Sequence, residues 1–206
     1  MTALKLIIFD CDGVMFDSKN ANRYFYNQLL TNFSLPPMDD EELEYVHMHH
    51  VLDSVRHIFR NHDFDLEEVN QYRLSLDYGN FLQYMTMEPD LIEFLEFIKP
   101  AQKAAISTNR TTTMRPILEA FGLKPYFEKV VTPMDVEQGK PHPEALHKIL
   151  DHFHLTVPET IYIGDSIVDR EHTDSLGMRM IAFKNPALSA EFHVNSFMEI
   201  TGLPIF

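Results

Sequence analysis

The sequence predicts an α/β fold, a doubly wound Rossmann-like parallel sheet carrying an inserted all-α domain. Three observations predict it. Short runs rich in Ile, Val and Phe recur along the chain, as strands buried on both faces of a parallel sheet require. Segments with helical apolar spacing separate the later runs, which makes the connections right-handed crossovers. One interval, from Phe16 to about Glu88, contains no strand-like run and three helical patterns.

Taken in order, the first strand is expected at Leu4–Phe9. The helical interval follows, with patterns at Tyr24–Leu30, Leu43–Phe59 and Leu66–Met87. Pro36–Pro37 punctuates the first gap, and Asp65 stands where an N-cap belongs before the last pattern. Leu91, Ile92, Leu95 and Ile98 then line one helical face after Pro89–Asp90. Further strands are expected at Ala104–Ser107, Lys129–Thr132, Thr160–Ile163 and Met178–Phe183. Between them, Ile117, Leu118 and Phe121 form a helical stripe that stops at Gly122, a C′ glycine. A second stripe runs through Ala145, Leu146, Ile149, Leu150 and Phe153. A third carries Ile167, Val168 and Leu176 up to Gly177. The resulting organisation is a core of residues 1–15 and 89–206 with a helical insert at 16–88.

Composition narrows the function. The chain has 206 residues, 17 basic and 31 acidic, for a net charge of −14 with His neutral. Such a surface repels phosphate backbones, so no nucleic-acid partner is expected. A hydrophobic share of 45% is incompatible with wholesale disorder. A single cysteine, Cys11, excludes an internal disulfide framework. No apolar run reaches the ~18 residues of a membrane span, so a cytoplasmic protein without a membrane partner is expected. The oligomeric state is left open.

Four groups of chemistry-bearing residues each follow an expected strand. Asp10-Cys11-Asp12-Gly13 puts two carboxylates and a turn glycine after the first strand, where open α/β sheets bind ligands. One carboxylate could attack while the other moves protons, although such pairs also serve as caps and turns. Ser107-Thr108-Asn109-Arg110 offers a hydroxyl and backbone N–H groups before a helix, suited to a phosphate and equally to capping. Gly139-Lys140-Pro141 holds a lysine on a rigid loop, where it could offset negative charge or stand solvated. Gly164-Asp165-Ser166 with Asp169 suits a hard cation; capping explains Asp165 and Ser166 more readily than Asp169. From Asp10 the spacings are 98 residues to Thr108, then 32 to Lys140 and 25 to Asp165. All four groups therefore meet on one edge of one sheet.

In these residues and their order the sequence resembles the haloacid dehalogenase-like (HAD) superfamily, in particular its phosphoglycolate phosphatase-like and β-phosphoglucomutase-like members. The likeness covers residues 1–15 and about 89–206, and the insert stands where that family carries a helical cap. It implies a Mg²⁺-dependent hydrolase of a small phosphomonoester, acting through an aspartyl-phosphate. Asp10 would be the nucleophile, and Asp12 would protonate the leaving oxygen and then deprotonate water. Thr108 and Asn109 would bind the phosphoryl group, with Ser107 an alternative to Thr108. Lys140 would offset charge on Asp10 and the phosphoryl group. Asp10, the Asp12 main-chain oxygen and Asp165 would hold Mg²⁺, while Asp169 would support the metal or orient Lys140. Mg²⁺ and a lysine reduce the repulsion between an attacking carboxylate and a phosphate dianion. Dehalogenases of this type lack the second Asp, so C–halogen hydrolysis is not expected. A phosphosugar mutase and a non-catalytic binding protein on the same scaffold remain the alternatives.

Four further readings concern particular residues. Arg110 stands where relatives often carry Lys, and little change is expected from it. Cys11 is read as a spectator. Among the five histidines of the insert, His47, His49, His50, His57 and His62, the pattern lacks zinc spacing and reads as helix surface or cap pocket. Lys19, Arg23, Arg56, Arg60 and Arg73 are candidate contacts for an anionic substrate.

Overall fold

The computed structural model describes residues 2–206, with the backbone alone at Met48. The chain forms two compact units. One comprises the chain up to Asp17 together with Met87–Phe206, and the other is Ser18–Thr86. Among the described residues no helix is long and apolar enough to cross a membrane.

The first unit is a six-stranded parallel sheet. Its strands are β1 (Leu6–Phe9), β4 (Lys103–Ser107), β5 (Lys129–Val131), β6 (Thr160–Gly164), β7 (Arg179–Phe183) and β8 (Phe192–Val194), in the spatial order β5-β4-β1-β6-β7-β8. All four residues of β1 are buried, because it lies mid-sheet with both faces covered. Its register sets Ile8 opposite Ala105 on one side and Tyr162 on the other. The chain first builds outward from β1 through β4 to β5, then returns to lay β6 against β1. The strand order therefore reverses between β1 and β6, and ligands of open α/β sheets bind beyond the carboxyl ends at such a reversal.

Helices α5 (Leu91–Ile98), α6 (Met114–Ala120), α7 (Glu144–Phe153) and α8 (Ile167–Asp174) make the crossovers. The stripe Ala145, Leu146, Ile149 and Leu150 of α7 packs on Leu6, Ile8, Ala105 and Tyr162. The opposite face is aromatic: Phe9 meets Phe94, Phe127 and Phe197 at ring separations of 6.2, 5.5 and 5.9 Å. Each fully buried side chain of this kind contributes roughly 1.5–3 kcal/mol, and together they fix the sheet whose edge carries the site. Gly122, with φ at 68°, ends α6 in the left-handed region as the sequence predicts.

The second unit holds α1 (Lys19–Asn32), α2 (Asp40–Met48), α3 (Val51–Phe59) and α4 (Leu66–Ser75), then a 3₁₀ segment at Tyr78–Tyr84. Three expectations change here. The pattern at Leu43–Phe59 is two helices, because His50 caps α3 by accepting from Leu52 N at 3.3 Å. The pattern at Leu66–Met87 stops at Ser75, and Asp77 starts the 3₁₀ segment by accepting from Gly79 N at 2.8 Å. Finally, the interval does contain strands: β2 (Phe16–Asp17) and β3 (Thr86–Met87) form a two-stranded sheet. They are two residues each, too short to produce an apolar run. Asp65 does cap α4, accepting from Glu67 N at 2.9 Å.

Candidate active site

The carboxyl edge of the sheet collects the predicted residues. Asp10 leaves β1 with its N–H still donating to Ile163 O of β6 at 2.9 Å, so its side chain is set by the ladder. The chain then turns through Gly13, whose φ is 75°. A Cβ at Gly13 would lie 2.0 Å from Asp165 Oδ2, and one at Gly164 would lie 2.6 Å from Asp169 Cβ. Glycine at these two positions lets Asp165 and Asp169 press against the β1 and β6 ends.

Asp169 is anchored by the start of α8. Ser166 caps that helix, and Asp169 completes a capping box with it. Capping thus accounts for Asp169 as well as Ser166, contrary to the sequence reading. Its Oδ2 accepts from Ser166 Oγ at 2.7 Å and from the backbone N–H groups of Ser166 and Asp165 at 3.2 and 3.3 Å. Its Oδ1 accepts from Lys140 Nζ at 2.8 Å and lies 2.9 Å from the Tyr162 hydroxyl. Asn185, after β7, donates to Asp165 O at 2.7 Å and fixes that backbone too. The Asp165 carboxylate accepts no hydrogen bond from the described residues.

Lys140 reaches the centre of the group from the loop before α7. Its three N–H bonds go to Asp10 Oδ1 at 2.6 Å, Asp169 Oδ1 at 2.8 Å and the Tyr162 hydroxyl at 2.8 Å, with only 3% of its side chain exposed. Burial would favour the neutral amine, but Asp10 and Asp169 outweigh it and keep Lys140 charged well above its ordinary range. Burial alone would raise Asp169, but Lys140 and the hydrogen bonds hold it below the usual carboxylate range.

Asp10, Asp165 and Asp169 can each offer one oxygen, all within 4.8 Å of one another. Burial first, then mutual repulsion, pushes Asp165 up to about 8 and Asp10 up to about 7. The buried Asp10 and Asp169 and the half-buried Asp165, sharing one ammonium, leave an excess of two negative charges when all are ionised. A hard divalent cation with oxygen ligands fits that excess, and the unbonded Asp165 carboxylate is available to it.

The remaining predicted residues separate into distinct environments. Both oxygens of Asp12 are held by Arg110, with Nε to Oδ2 at 2.8 Å and Nη2 to Oδ1 at 2.5 Å. Arg110 therefore matters more than its sequence reading allowed. Thr108 is buried, and its Oγ1 accepts from Arg110 N at 3.1 Å. The Ser107 hydroxyl is committed elsewhere, 3.1 Å from His172 Nε2. His172 Nδ1 lies 3.3 Å from Pro141 O, which can only accept, so Nδ1 carries the proton and Nε2 accepts from Ser107. Burial, then the charge of Lys140, drops His172 to about 4 and keeps it neutral. Asn109 is half-buried, its Oδ1 3.8 Å from where a Gly139 Cβ would stand. Cys11 is fully buried between the two aspartates, and burial followed by Asp12 pushes its thiol well up.

In the helical unit the histidines serve structure. His49 and His57 stack on the two sides of Tyr45's ring system at 3.8 and 3.7 Å, His50 caps α3, and His47 Nδ1 lies 3.2 Å from Asn22 Nδ2. Lys19, Arg23, Arg56 and Arg60 form ion pairs with Glu44, Asp40, Asp53 and Glu42. Arg73 instead donates to Asn70 Oδ1 at 2.9 Å. Three residues of the site, Tyr162, His172 and Asn185, carry no reading in the sequence, and Arg110 is read there as a neutral replacement. Only Arg110 carried a signal, its place beside Thr108-Asn109.

Comparison with known proteins agrees with this geometry. A family model described as haloacid dehalogenase-like hydrolase matches residues 7–183. A crystal structure of a HAD-superfamily hydrolase, subfamily IA, variant 1, from Geobacter sulfurreducens superimposes with a TM-score of 0.83 at 34% identity, covering 98% of this chain and 96% of that one. A phosphoglycolate phosphatase of Aliivibrio fischeri is 27% identical over 191 residues, 87% of this chain and 83% of its own length. A pyrophosphatase PpaX of Bacillus cereus is 26% identical over 212 aligned positions, 95% of this chain and 88% of its own length. The order of groups along the chain, the sheet that gathers them and these similarities converge, and the chain belongs to the haloacid dehalogenase-like hydrolase family.

Proposed function

We propose that the chain is a Mg²⁺-dependent phosphatase of small phosphate monoesters, working through an aspartyl-phosphate on Asp10. The observation that carries this reading is the cluster of Asp10, Asp165, Asp169 and Lys140 beyond the β1 and β6 ends. Lys140 holds Asp10 Oδ1, which leaves Oδ2 to attack phosphorus. As the bond from Oδ2 to phosphorus forms, the bond from phosphorus to the leaving oxygen breaks, and Asp12 supplies the proton that oxygen takes up. Asp12 then accepts a proton from the water that attacks phosphorus and frees Asp10. Thr108 Oγ1 already accepts from Arg110 N, so its own proton is directed to a phosphoryl oxygen, with Asn109 beside it.

Asp10, Asp165 and the Asp12 main-chain oxygen would hold Mg²⁺, which neutralises phosphoryl oxygen charge when bound. Asp169, whose oxygens already accept from Ser166, Asp165, Lys140 and Tyr162, acts by orienting Lys140. Residues 16–88 stand where members of this family carry a helical cap, and we read them as one. The names of the Aliivibrio and Bacillus relatives support a phosphate substrate. Purified protein with Mg²⁺ should hydrolyse an aryl phosphate, and Asp10→Asn should abolish it. Equal rates for the two proteins overturn the reading. Conversion of glucose 1-phosphate to glucose 6-phosphate without phosphate release reassigns the chain as a mutase.

A further inference from the structure

We propose that Arg110 is a specificity-determining residue that ties recognition of the leaving group to release of Asp12. Its guanidinium, clamped on Asp12 in this structure, transfers to a second anionic group on the leaving part of the phosphate ester. The inference rests on the phosphatase reading and deepens it.

The clamp is a bidentate fork. Nε and Nη2 cover both carboxylate oxygens of Asp12, and Nη1 donates to Thr113 Oγ1 at 3.2 Å. The Arg110 side chain is 8% exposed and that of Asp12 24%, so the pair is largely withdrawn from water. A proton placed on either oxygen would compete with the N–H bond that oxygen now accepts, so Asp12 cannot carry one to a leaving oxygen while the fork is closed. The fork must therefore open before Asp12 can act.

A ligand opens such a contact only if it interacts better with the open state than with the closed one. The phosphoryl group is addressed by Lys140 and Thr108 and does not need the fork. A second carboxylate or phosphate does match it, because the fork takes either anion in the same two-bond geometry it now uses for Asp12. Such an exchange replaces one anion by another and leaves no buried guanidinium uncompensated. An uncharged leaving group offers no replacement, so opening the fork strands a buried cation. The placement suits the exchange: Arg110 N bonds the Thr108 hydroxyl, so the fork and the phosphate-facing oxygen share one turn. Lysine at this position would keep the charge and lose the fork.

The test compares carboxymethyl phosphate with its carboxamide, substrates of equal size that differ by one charge. Wild type, R110K and R110Q are assayed with Mg²⁺, with an aryl phosphate as control. Wild type should favour the carboxylate by about tenfold or more in kcat/KM, the scale of a charge-assisted bidentate contact. R110Q should lose that preference through a higher KM for the carboxylate and a higher kcat/KM for the carboxamide, whose reaction no longer strands a buried cation. R110K should fall between them. Equal wild-type rates on the two esters, or an equal loss on both in R110Q, overturn the proposal and leave Arg110 as a support for Asp12. No turnover of any substrate, the aryl phosphate included, overturns the phosphatase reading as well. Should R110Q fail to fold, the same ratio measured on R110K decides.

Discussion

Replacing Gly13 by alanine separates backbone strain from the close approach that builds the site. At φ 75° alanine costs about 1–2 kcal/mol, because the left-handed region crowds Cβ against the following carbonyl. Its Cβ would also stand 2.0 Å from Asp165 Oδ2 and 2.6 Å from Asp165 Cγ. Restoring ordinary contact moves that carboxylate by about 1 Å or more, and a displacement of that size in a positioned group costs about 10²-fold in rate. Gly122 supplies the control, with φ at 68° and nothing within 4 Å of a built Cβ. Gly122→Ala should lose about 1–2 kcal/mol, a fall in Tm of roughly 2–8 °C for a chain of this size, and keep its turnover. Gly13→Ala should lose at least as much stability, about 10²-fold in kcat/KM, and most of the Tm rise that Mg²⁺ produces. Calorimetry with and without Mg²⁺ and aryl phosphate kinetics on both variants are the assays. If Gly13→Ala turns over within threefold of Gly122→Ala and shows the same Mg²⁺ shift, the argument from close approach is wrong.

Three other outcomes follow from the same geometry. Asp10 and Asp165 sit at about 7 and 8 against ordinary values of 3.8, so between pH 4 and 8 these two sites hold more protons in the native chain than in the unfolded one, while below 6.5 the neutral His172, at about 4, opposes them. Metal-free stability should therefore fall as pH rises from 6.5 to 8, by up to about 1.4 kcal/mol per pH unit for each group titrating, and a rise over that range in urea titrations refutes this. Mg²⁺ at 100 times its Kd should return about 2.7 kcal/mol at pH 8 and less at pH 5. Lys140→Met strands buried carboxylates and should cost about 3–5 kcal/mol at pH 8, with a smaller loss at pH 5 where protonation relieves them; a pH-independent loss of Tm counts against the charge account. Ser107→Ala should lower stability by about 1–2 kcal/mol through His172 and leave KM for an aryl phosphate unchanged, whereas Thr108→Ala should raise KM; the reverse pattern makes Ser107 the phosphate contact.

What was legible in the sequence followed from short-range chemistry. β1, β4, β6 and β7 announced themselves because strands buried on both faces carry runs of apolar residues, and the edge strand β5 through its Val130–Val131 pair. β8 did not: it has three residues at the sheet edge, with exposed His193 between Phe192 and Val194. The break between α2 and α3 has neither Gly nor Pro to mark it, since a histidine side chain supplies the cap. The Ser166-Ile-Val-Asp169 capping box is in plain sight, yet the sequence reading gives Asp169 to the metal or to Lys140 and not to the cap, because one carboxylate can serve a cap and a lysine together. The Arg110–Asp12 clamp joins residues 98 apart, and the Ser107–His172 contact joins residues 65 apart. No local pattern encodes such pairs; only the sheet brings them together.

The thiol of Cys11 makes the chain its own gauge of site opening. It is the one cysteine in the sequence, fully buried, and flanked by Asp10 and Asp12. An alkylating reagent must wait for the end of β1 to come apart, because a shielded, protonated thiol does not react. The labelling rate of the unmodified protein thus reports how often the carboxylate loop opens at the point of chemistry. Any ligand that ties this loop to Asp165 should slow the labelling in proportion to its occupancy, with no substrate turnover needed to see it.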